Sequence, residues 1–355
     1  MFYTGIISVI IFYVIPYFGI TPKTILLIDA AIVTIFVWFI RRAAFVSAKE
    51  GAGSRVYFFL NHTEGALSES EEIKNFKELL KSRPQLGYKV VGEMNDADMI
   101  VIAEYAKKDS ASLEALYMAI FSHKTIVDFS KFYESVTGKV PVYMISKVWF
   151  LENLMEINKR TFETIKRWGD IFAFIVLLIP TIVIFPFVAL VIKLTSSGPV
   201  LFRQARVGKN GKTFELIKFR SMIVDAERSG YHGWAKLPEG DKRITFIGNI
   251  LRKTRIDELP QIWNILRGEM SLVGPRPERP EFVRELSAQI PHYKIRHLVE
   301  PGLTGWGQIN FSEASARDAV LKLQYDLYYI KNRSIFLEAV ILLKTILIVF
   351  KREGK

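Results

Sequence analysis

The sequence predicts an α/β protein with membrane helices, and three observations lead to this fold class. Uncharged apolar segments recur along the chain, one of them between Asp170 and Lys193. Short β-rich runs alternate with helical patterns over residues 54–150, which is typical of a small domain with a largely parallel sheet. The sequence from Gly198 onwards is polar and basic before it ends in another apolar run. We therefore expect membrane anchors, a small α/β domain and a further, basic domain.

The composition excludes several kinds of site. The chain of 355 residues is long enough for two domains that each bury a core. It contains no cysteine, so disulfides, thiolate metal sites and cysteine nucleophiles are ruled out. Its five histidines stand at no metal-ligand spacing. The net charge of +12 favours anionic partners, which include lipid headgroups, nucleotides and nucleic acids.

Residues 1–45 are predicted to form a transmembrane helical hairpin. Residues 2–20 carry no charge and residues 24–40 carry only one, so each segment has the length and composition of a membrane span. Arg41 and Arg42 follow the second segment. Because basic residues near a span favour the cytoplasmic side, we expect the rest of the chain to lie in the cytoplasm.

Residues 54–150 are predicted to form the small α/β domain. The predicted strands are 55–60, 88–93, 98–103 and 142–145, and the predicted helices lie near 70–82 and 111–121. No Gly-x-Gly-x-x-Gly follows the first strand, where the turn reads Asn61-His62-Thr63-Glu64-Gly65. Dinucleotide binding is therefore unsupported, and a structural or regulatory role is expected.

The 22 uncharged residues between Asp170 and Lys193 predict a re-entrant membrane helix over residues 171–192. Basic residues stand on both sides of the segment, as they do in cytoplasmic loops. Pro180 and Pro186 lie in its middle, where each removes a backbone hydrogen bond and clashes with the preceding turn. A helix that breaks and returns to the same face explains both facts. The alternative is an ordinary kinked transmembrane helix, because such helices tolerate proline.

The apolar run 335–350 is predicted to form a C-terminal interfacial helix. It carries Glu338 and Lys344 and has fewer than 20 residues, so it is a poor candidate for a span. A helix that lies on the cytoplasmic leaflet fits this pattern better.

Asp257 and Glu258 are adjacent carboxylates that stand among the cations Arg252, Lys253 and Arg255. A carboxylate can attack phosphorus or hold a divalent metal, while flanking cations neutralise the phosphate oxygens. The apolar spacing after Asp257 places the pair at a helix N-terminus, whose dipole favours anions and should keep Asp257 ionised. The alternative is that Asp257 is a plain helix cap.

Residues 201–260 contain thirteen Lys and Arg against seven Asp and Glu. Nucleic-acid binding would also explain this charge, but the aromatic side chains that stack on bases are sparse here, so a membrane-facing phosphate site is favoured. A hairpin turn is predicted at residues 208–211, and it would leave Lys218 and Arg220 at a strand end.

Pro275 and Pro277 predict a rigid loop around Arg276, because proline fixes its own φ and restricts the residue before it. A pre-set guanidinium suits bidentate phosphate recognition. The alternative is a surface turn after a helix. For the glycine-rich turn 301–308 and the aromatic cluster 325–329, local packing explains the composition without ligand contact.

Six ordered motifs are spread over residues 163–355. They read Gly198-Pro199-Val200-Leu201-Phe202-Arg203-Gln204 with Arg206-Val207-Gly208, Lys218-Phe219-Arg220-Ser221-Met222, Asp257-Glu258-Leu259-Pro260-Gln261, Met270-Ser271-Leu272-Val273-Gly274-Pro275-Arg276-Pro277, Pro301-Gly302-Leu303-Thr304-Gly305-Trp306 and Asp326-Leu327-Tyr328-Tyr329. With these motifs the region resembles the bacterial initiating sugar transferases, which are polyprenyl-phosphate glycosyl-1-phosphate transferases with a monotopic catalytic domain. The N-terminal part is similar to the hairpin and degenerate Rossmann-like domain of the larger members. Those members often carry four transmembrane helices, where two are predicted in this sequence.

The resemblance implies a mainly α catalytic domain that transfers a sugar 1-phosphate from a UDP-sugar to undecaprenyl (polyprenyl) phosphate and releases UMP. In this way it would start exopolysaccharide, capsule or O-antigen assembly. Asp257 would be the nucleophile that carries the phospho-sugar, and Glu258 would be a Mg²⁺ ligand. The implied phosphate-binding residues are Arg252, Arg276, Lys218 and Arg220, and the implied supporting residues are Pro275, Pro277 and Asp326.

The resemblance also implies a place on the cytoplasmic face of the bacterial inner membrane, in contact with membrane lipids and without a nucleic-acid partner. Assembly as a homo-oligomer is left open. The family's membrane helix usually breaks at a Ser-Pro pair, and the matching position here is Ile182-Val183. We expect the break to be spread over Pro180 and Pro186 instead. The rival hypothesis is a membrane-tethered scaffold or regulator that senses nucleotide sugars without catalysis.

Overall fold

The computed structural model describes residues 53–59, 71–103, 110–145, 147–154, 160–224, 226, 241, 243–311 and 318–350. The predicted hairpin over residues 1–45 lies outside them. The chain separates into two compact units, Met1–Val127 and Asp128–Lys355. The fold is mixed, with a small sheet in the first unit and one long apolar helix in the second.

The first unit contains a four-stranded sheet in the order β2-β1-β3-β4, in which β1 pairs in parallel with both β2 and β3. The strands are β1 Ser54–Phe59, β2 Tyr88–Val90, β3 Met99–Ile102 and β4 Thr125–Asp128, and the helices are α1 Glu71–Ser82 and α2 Ser110–Phe121, with a short 3-10 helix at Pro84–Leu86. Three predicted strands and both predicted helices of this region are thus confirmed, and β4 was not predicted.

Apolar spacing explains why these elements form. In α1 the buried residues Ile73, Phe76 and Leu80 repeat at helical spacing. In β1 Val56 and Phe58 are buried at alternate positions, as expected for a strand with one covered face. The sheet thus has a compact core of its own.

The second unit combines helices with two small two-stranded sheets. Its helices are α3 Phe129–Thr137, α4 Lys147–Leu154, α5 Arg160–Thr195, α6 Phe246–Lys253, α7 Ile262–Leu266, α8 Pro280–Gln289, α9 Trp306–Asn310, α10 Ala319–Lys331 and α11 Ile335–Phe350. Its strands are β5 Leu201–Val207, β6 Thr213–Phe219, β7 Ser271–Val273 and β8 Gly302–Thr304. Short 3-10 helices occupy Val142–Met144, Lys209–Gly211, Ile256–Gln261 and Tyr293–Leu298.

Residues 128–150, which are predicted to belong to the α/β domain, lie in this second unit. Val140, Val142 and Trp149 are buried in one cluster with side chains of α10, and the Val140 amide donates to the Gln324 carbonyl. The predicted strand 142–145 is wrong, because Val142–Met144 is a 3-10 helix. Its apolar residues are buried against α10 rather than in a sheet, and apolar content alone cannot tell the two apart.

The predicted hairpin in the second unit is confirmed. Strands β5 and β6 pair antiparallel from Leu201 opposite Phe219 to Val207 opposite Thr213. The turn between them needs two residues at positive φ, and Asn210 (φ 54°) and Gly211 (φ 76°) supply them. Asparagine and glycine adopt this conformation most readily, so the local sequence selects the turn.

Helix α5 has 36 residues and, within the described part of the chain, is the one helix long and apolar enough to cross a membrane. At 1.5 Å per residue it is about 54 Å long, well beyond the ~30 Å hydrocarbon core of a bilayer. Many of its apolar side chains are exposed, among them Phe172, Ile175, Val176, Ile179, Ile182, Val183, Phe187 and Leu190. Pro180 and Pro186 lie inside the helix, whose assignment continues through both. The predicted break is therefore not a gap in the helix, and re-entry stays a prediction.

The same unit holds both ends of the apolar stretch of α5. Before the stretch, Asp170 accepts hydrogen bonds from β7. After it, the carbonyls of Ser196 and Ser197 accept hydrogen bonds from Arg220, which follows β6. The stretch thus begins and ends on one compact body.

The predicted C-terminal helix is confirmed as α11, Ile335–Phe350. Six of its large apolar side chains are exposed: Ile335, Phe336, Leu343, Ile346, Leu347 and Val349. Its place on a membrane surface stays a prediction.

Candidate active site

The adjacent carboxylates lie on the 3-10 helix Ile256–Gln261, between α6 and α7. The chain enters it through Arg255, which has a left-handed backbone (φ 59°). The sequence predicts an α-helix that starts at this point, but the regular helix α7 begins only at Ile262. Pro260 lies inside the tight turn and has no amide to donate. The tight turn leaves Asp257 buried and Glu258 partly exposed.

Asp257 is a carboxylate with little access to water. The residue is 7% exposed, and its Oδ1 has no hydrogen-bond partner among the described residues. Loss of water raises the pKa of Asp257 to about 6, and the charge of Glu258 adds to this, while Lys218, Arg252 and Arg255 oppose it. The pKa of Asp257 rises because desolvation outweighs the nearby cations. At neutral pH the charged form still predominates.

A small polar cleft opens beside this turn. Its lining residues are Arg206, Leu216, Lys218, Glu258, Gln261, Arg276, Pro277, Gly302 and Leu303. Three cations therefore face one carboxylate within the lining. This excess of positive charge suits a ligand with several anionic oxygens.

The cations of the cleft are held in different ways. Glu258 Oε1 lies 3.4 Å from Arg255 Nη1 and 3.9 Å from Arg276 Nη2. The Lys218 ammonium lies 5.5 Å from the centre of the Phe202 ring. Loss of water, with Arg206 and Arg276 nearby, lowers the pKa of Lys218 to about 8. Lys218 therefore titrates close to the physiological range.

The loop around Arg276 has the rigidity that its prolines predict. Pro275 and Pro277 are buried, whereas the Arg276 side chain is about half exposed and points into the cleft lining. The Arg276 carbonyl accepts a hydrogen bond of 3.0 Å from Arg296, whose guanidinium is in turn paired with Asp326 at 2.8 Å. Asp326 does not line the cleft; it supports Arg276 through Arg296.

Five residues of the cleft lining were not predicted as site residues: Arg206, Leu216, Gln261, Gly302 and Leu303. All of them except Leu216 lie in one of the six ordered motifs. Membership in a motif was therefore the sequence signal that could have identified those four. For residues 301–308 the sequence was explained by local packing without ligand contact. Gly302 fits this place because a Cβ there would lie 2.0 Å from the Gly274 amide nitrogen.

Arg252 and Arg220, two of the predicted phosphate-binding residues, lie outside this lining. Arg252 is close enough to oppose the raised pKa of Asp257, as predicted for a cation beside the pair. Arg220 is buried, and its guanidinium donates to the Ser197 carbonyl (2.6 Å) and to the Ser196 carbonyl (2.9 Å) and hydroxyl (2.8 Å). We correct its predicted role, because these bonds hold the end of α5 and not a ligand.

The residues present fit a magnesium ion that is held mainly by substrate. Within the described residues, no three carboxylate or histidine side chains cluster as a protein cage for a metal. Mg²⁺ usually binds one or two carboxylates together with substrate phosphates and water. Glu258 in the lining and the unpartnered Oδ1 of Asp257 match that pattern.

Comparison with known proteins decides the family. Residues 161–352, more than half of the chain, match the family described as "Bacterial sugar transferase". The chain belongs to this family. The resemblance drawn from the six motifs is thus confirmed, and the cleft and the Asp257–Glu258 pair lie inside the matched region of this sugar transferase.

Three relatives are similar to this chain. A UDP-N-acetylgalactosamine-undecaprenyl-phosphate N-acetylgalactosaminephosphotransferase of Aeromonas hydrophila is 38% identical over 251 residues, 69% of this chain and 57% of the relative. An undecaprenyl-phosphate glucose phosphotransferase of Komagataeibacter xylinus is 44% identical over 196 residues, 53% of this chain and 35% of the relative. The uncharacterized sugar transferase EpsL of Bacillus subtilis (strain 168) is 40% identical over 190 residues, 54% of this chain and 89% of the relative. The chain thus spans less than two thirds of the first two relatives.

We expect Arg220→Met to lower stability without affecting UDP binding, and Lys218→Met to do the reverse. Arg220→Met leaves the carbonyls at the end of α5 without donors, so the free energy of unfolding should fall by about 1–3 kcal/mol. Its affinity for UDP should stay within about twofold of the parent. Lys218→Met should weaken UDP binding and leave the melting temperature unchanged or raised. Calorimetric titration measures the UDP affinity of both variants, and thermal melts measure their stability. If Arg220→Met lost UDP affinity but kept full stability, Arg220 would have a ligand-binding role after all.

Asp257→Asn should stabilise the fold, because a neutral amide costs less to bury than a carboxylate with an unpartnered oxygen. We expect a gain of about 1–3 kcal/mol. The pKa of the folded carboxyl is raised, so the gain should be complete above pH 6 and vanish as the pH falls below the ordinary value near 4. Thermal melts across this range measure it. The exposed Glu152→Gln is the matched control, and an Asp257→Asn gain that does not depend on pH would contradict the assignment.

Proposed function

We propose that this protein transfers a sugar 1-phosphate from a UDP-sugar to polyprenyl phosphate through a phospho-sugar intermediate on Asp257. One observation carries the proposal: a buried carboxylate with an unpartnered oxygen lies beside a cleft lined by three cations. The relatives support the substrate classes, because their names include undecaprenyl phosphate and, in one case, a UDP-sugar. These relatives are named for two sugars, so the proposal is made for UDP-sugars as a class.

In the first step, a carboxylate oxygen of Asp257 attacks the β-phosphorus of the UDP-sugar. The bond from that phosphorus to the oxygen bridging the two phosphates breaks, and UMP leaves with the electron pair. The phospho-sugar is then esterified to Asp257. The burial that raises the pKa of Asp257 also strips water from the attacking oxygen, which makes it a better nucleophile.

Cations around the pair neutralise the phosphates in this step. Lys218, Arg206 and Arg276 line the cleft, and Arg252 is close to Asp257. We propose that Glu258 and the substrate phosphates hold Mg²⁺, which would withdraw charge from the phosphate oxygens and stabilise the departing UMP. The pairs that Glu258 makes with Arg255 and Arg276 are long enough to open for a ligand.

In the second step, a phosphate oxygen of polyprenyl phosphate attacks the phosphorus of the intermediate. The bond between that phosphorus and the Asp257 oxygen breaks, and the carboxylate is restored. Two displacements suit two anionic substrates, one soluble and one embedded in lipid, because they need not meet.

We propose that the α5 helix re-enters the membrane and that the enzyme works on the cytoplasmic face of the bacterial inner membrane. The apolar stretch is exposed, yet both of its ends are bonded to the same unit. A straight crossing would have to place that unit on both sides of the bilayer. A return to one face would keep Asp257 near the lipid phosphates, where assembly of exopolysaccharide, capsule or O-antigen would begin.

We expect an adduct of phospho-sugar on Asp257 when purified protein meets a UDP-sugar and Mg²⁺ without lipid acceptor. Mass spectrometry of the peptide that contains Asp257 should show it, with an equal amount of UMP released. Asp257→Asn should form no adduct, while Glu152→Gln should behave as the parent. Normal turnover by Asp257→Asn would exclude the nucleophile assignment, and no UMP release from any UDP-sugar would favour the scaffold hypothesis.

The rate of UMP release should follow a bell-shaped pH profile. Asp257 reacts as the carboxylate, so the rate should rise with pH through about 6. Lys218 neutralises phosphate only while protonated, so the rate should fall above about 8. Lys218→Arg keeps its charge at all these pH values, so this variant should lose the alkaline limb and keep the acid limb. A variant profile with both limbs unchanged would show that Lys218 is not the group that titrates.

A further inference from the structure

Lys166 in α5 is buried against the second unit instead of facing lipid headgroups. Its side chain is 4% exposed. Its Nζ donates to the Val273 carbonyl at 2.9 Å and to Glu338 Oε1 at 2.5 Å. Lys166 is one of the basic residues that precede the apolar segment. In the structure it instead joins α5 to the end of strand β7 and to α11.

Asp170 binds the same strand one helical turn later. Its Oδ1 accepts hydrogen bonds from the Ser271 hydroxyl at 3.0 Å and from the Leu272 amide at 2.9 Å. Residues four apart lie on one face of a helix. A single face of α5 therefore holds all three residues of β7. Lys166 binds the Val273 end of the strand, and Asp170 binds the Ser271 end.

Tyr329 of α10 closes this network from the other side. Its hydroxyl lies 2.7 Å from Glu338 Oε1 and 3.1 Å from the Val273 carbonyl, the two groups that Lys166 also contacts. The hydroxyl has one proton and donates to one of these two acceptors at a time. Buried polar networks of this kind restrict the movement of their members. The position of Val273 is thus set by three helices at once.

Strand β7 transmits that position to the cleft. It pairs with β8, and Gly274 and Thr304 continue the pairing through a hydrogen bond of 2.9 Å. Gly302 of β8 lines the cleft, and Arg276 follows Val273 by three residues. The two strands pack so closely that neither Gly274 nor Gly302 has room for a Cβ. A shift of β7 must therefore move Arg276.

We propose that Lys166, Asp170 and Glu338 are positioning residues that fix Arg276 for its phosphate contact. This inference rests on the proposed function, since it assumes that Arg276 binds a substrate phosphate. None of the three lines the cleft; they act through the backbone of β7. The helix that anchors the enzyme in the membrane thereby also aligns the site.

A double-mutant cycle with UDP as the probe tests this proposal. Four proteins are compared: the parent, Lys166→Met, Arg276→Ala and the double variant. Each is prepared as the full chain in lipid nanodiscs with Mg²⁺ and titrated with UDP. Misplacement of a binding group costs up to about a hundredfold, so we expect Lys166→Met to weaken UDP binding roughly tenfold. If Lys166 acts through Arg276, the double variant should bind within about twofold of Arg276→Ala alone. The proposal would be overturned if the losses of UDP affinity in the two single variants multiplied in the double variant. It would also be overturned if Lys166→Met bound UDP as tightly as the parent.

Glu163→Gln is the matched control. Glu163 lies on the same helix and pairs with Arg333 at 2.7 Å, away from β7, so its loss should leave UDP affinity unchanged. A decrease like that of Lys166→Met would show general loosening of α5 and overturn the proposal. Should Lys166→Met fail to fold, Asp170→Asn takes its place in the same cycle. Parent protein that binds UDP but never releases UMP would refute the transferase function alone, whereas parent protein without UDP affinity would refute both.

Discussion

Removing water from the Asp257 carboxylate is the constraint on which the rest of the second unit depends. A buried carboxylate is costly unless it is paired, and here one oxygen has no partner among the described residues. The charge is tolerated because Lys218, Arg252 and Arg255 lie nearby. The same arrangement leaves an unpartnered oxygen beside a cationic cleft. The fold thus accepts a local loss of stability for the oxygen that would be the nucleophile of the proposed reaction.

The basic residues of the unit divide into two groups. Arg206, Lys218 and Arg276 line the cleft. Lys166, Arg220 and Arg296 are buried and donate to backbone carbonyls. The first group lines the site for a ligand, and the second holds the elements that carry the first. Arg206 belongs to both, because its Nη1 also donates to the Pro277 carbonyl at 3.0 Å. A high count of basic residues therefore reflects two different uses of charge.

Much of the fold and site could be predicted from local sequence. The hairpin turn with Asn210 and Gly211, the rigid Pro275–Pro277 loop and the position of Asp257 beside cations all follow from neighbouring residues. Errors arose where the partner is distant in the chain. Arg220 reads like a ligand-binding residue until Ser196 is seen to accept its hydrogen bond, and residues 142–145 look like a strand until α10 is seen to cover them.

The sequence by itself determined the family, the long apolar helix and the carboxylate pair, because ordered motifs and apolar runs are properties of consecutive residues. Only the tertiary structure decided which cations reach the cleft and how strongly Asp257 is desolvated. It also decided that Lys166 and Asp170 bind strand β7 from more than a hundred positions away. Desolvation and long-range hydrogen bonds depend on what packs around a group, and no local pattern records that.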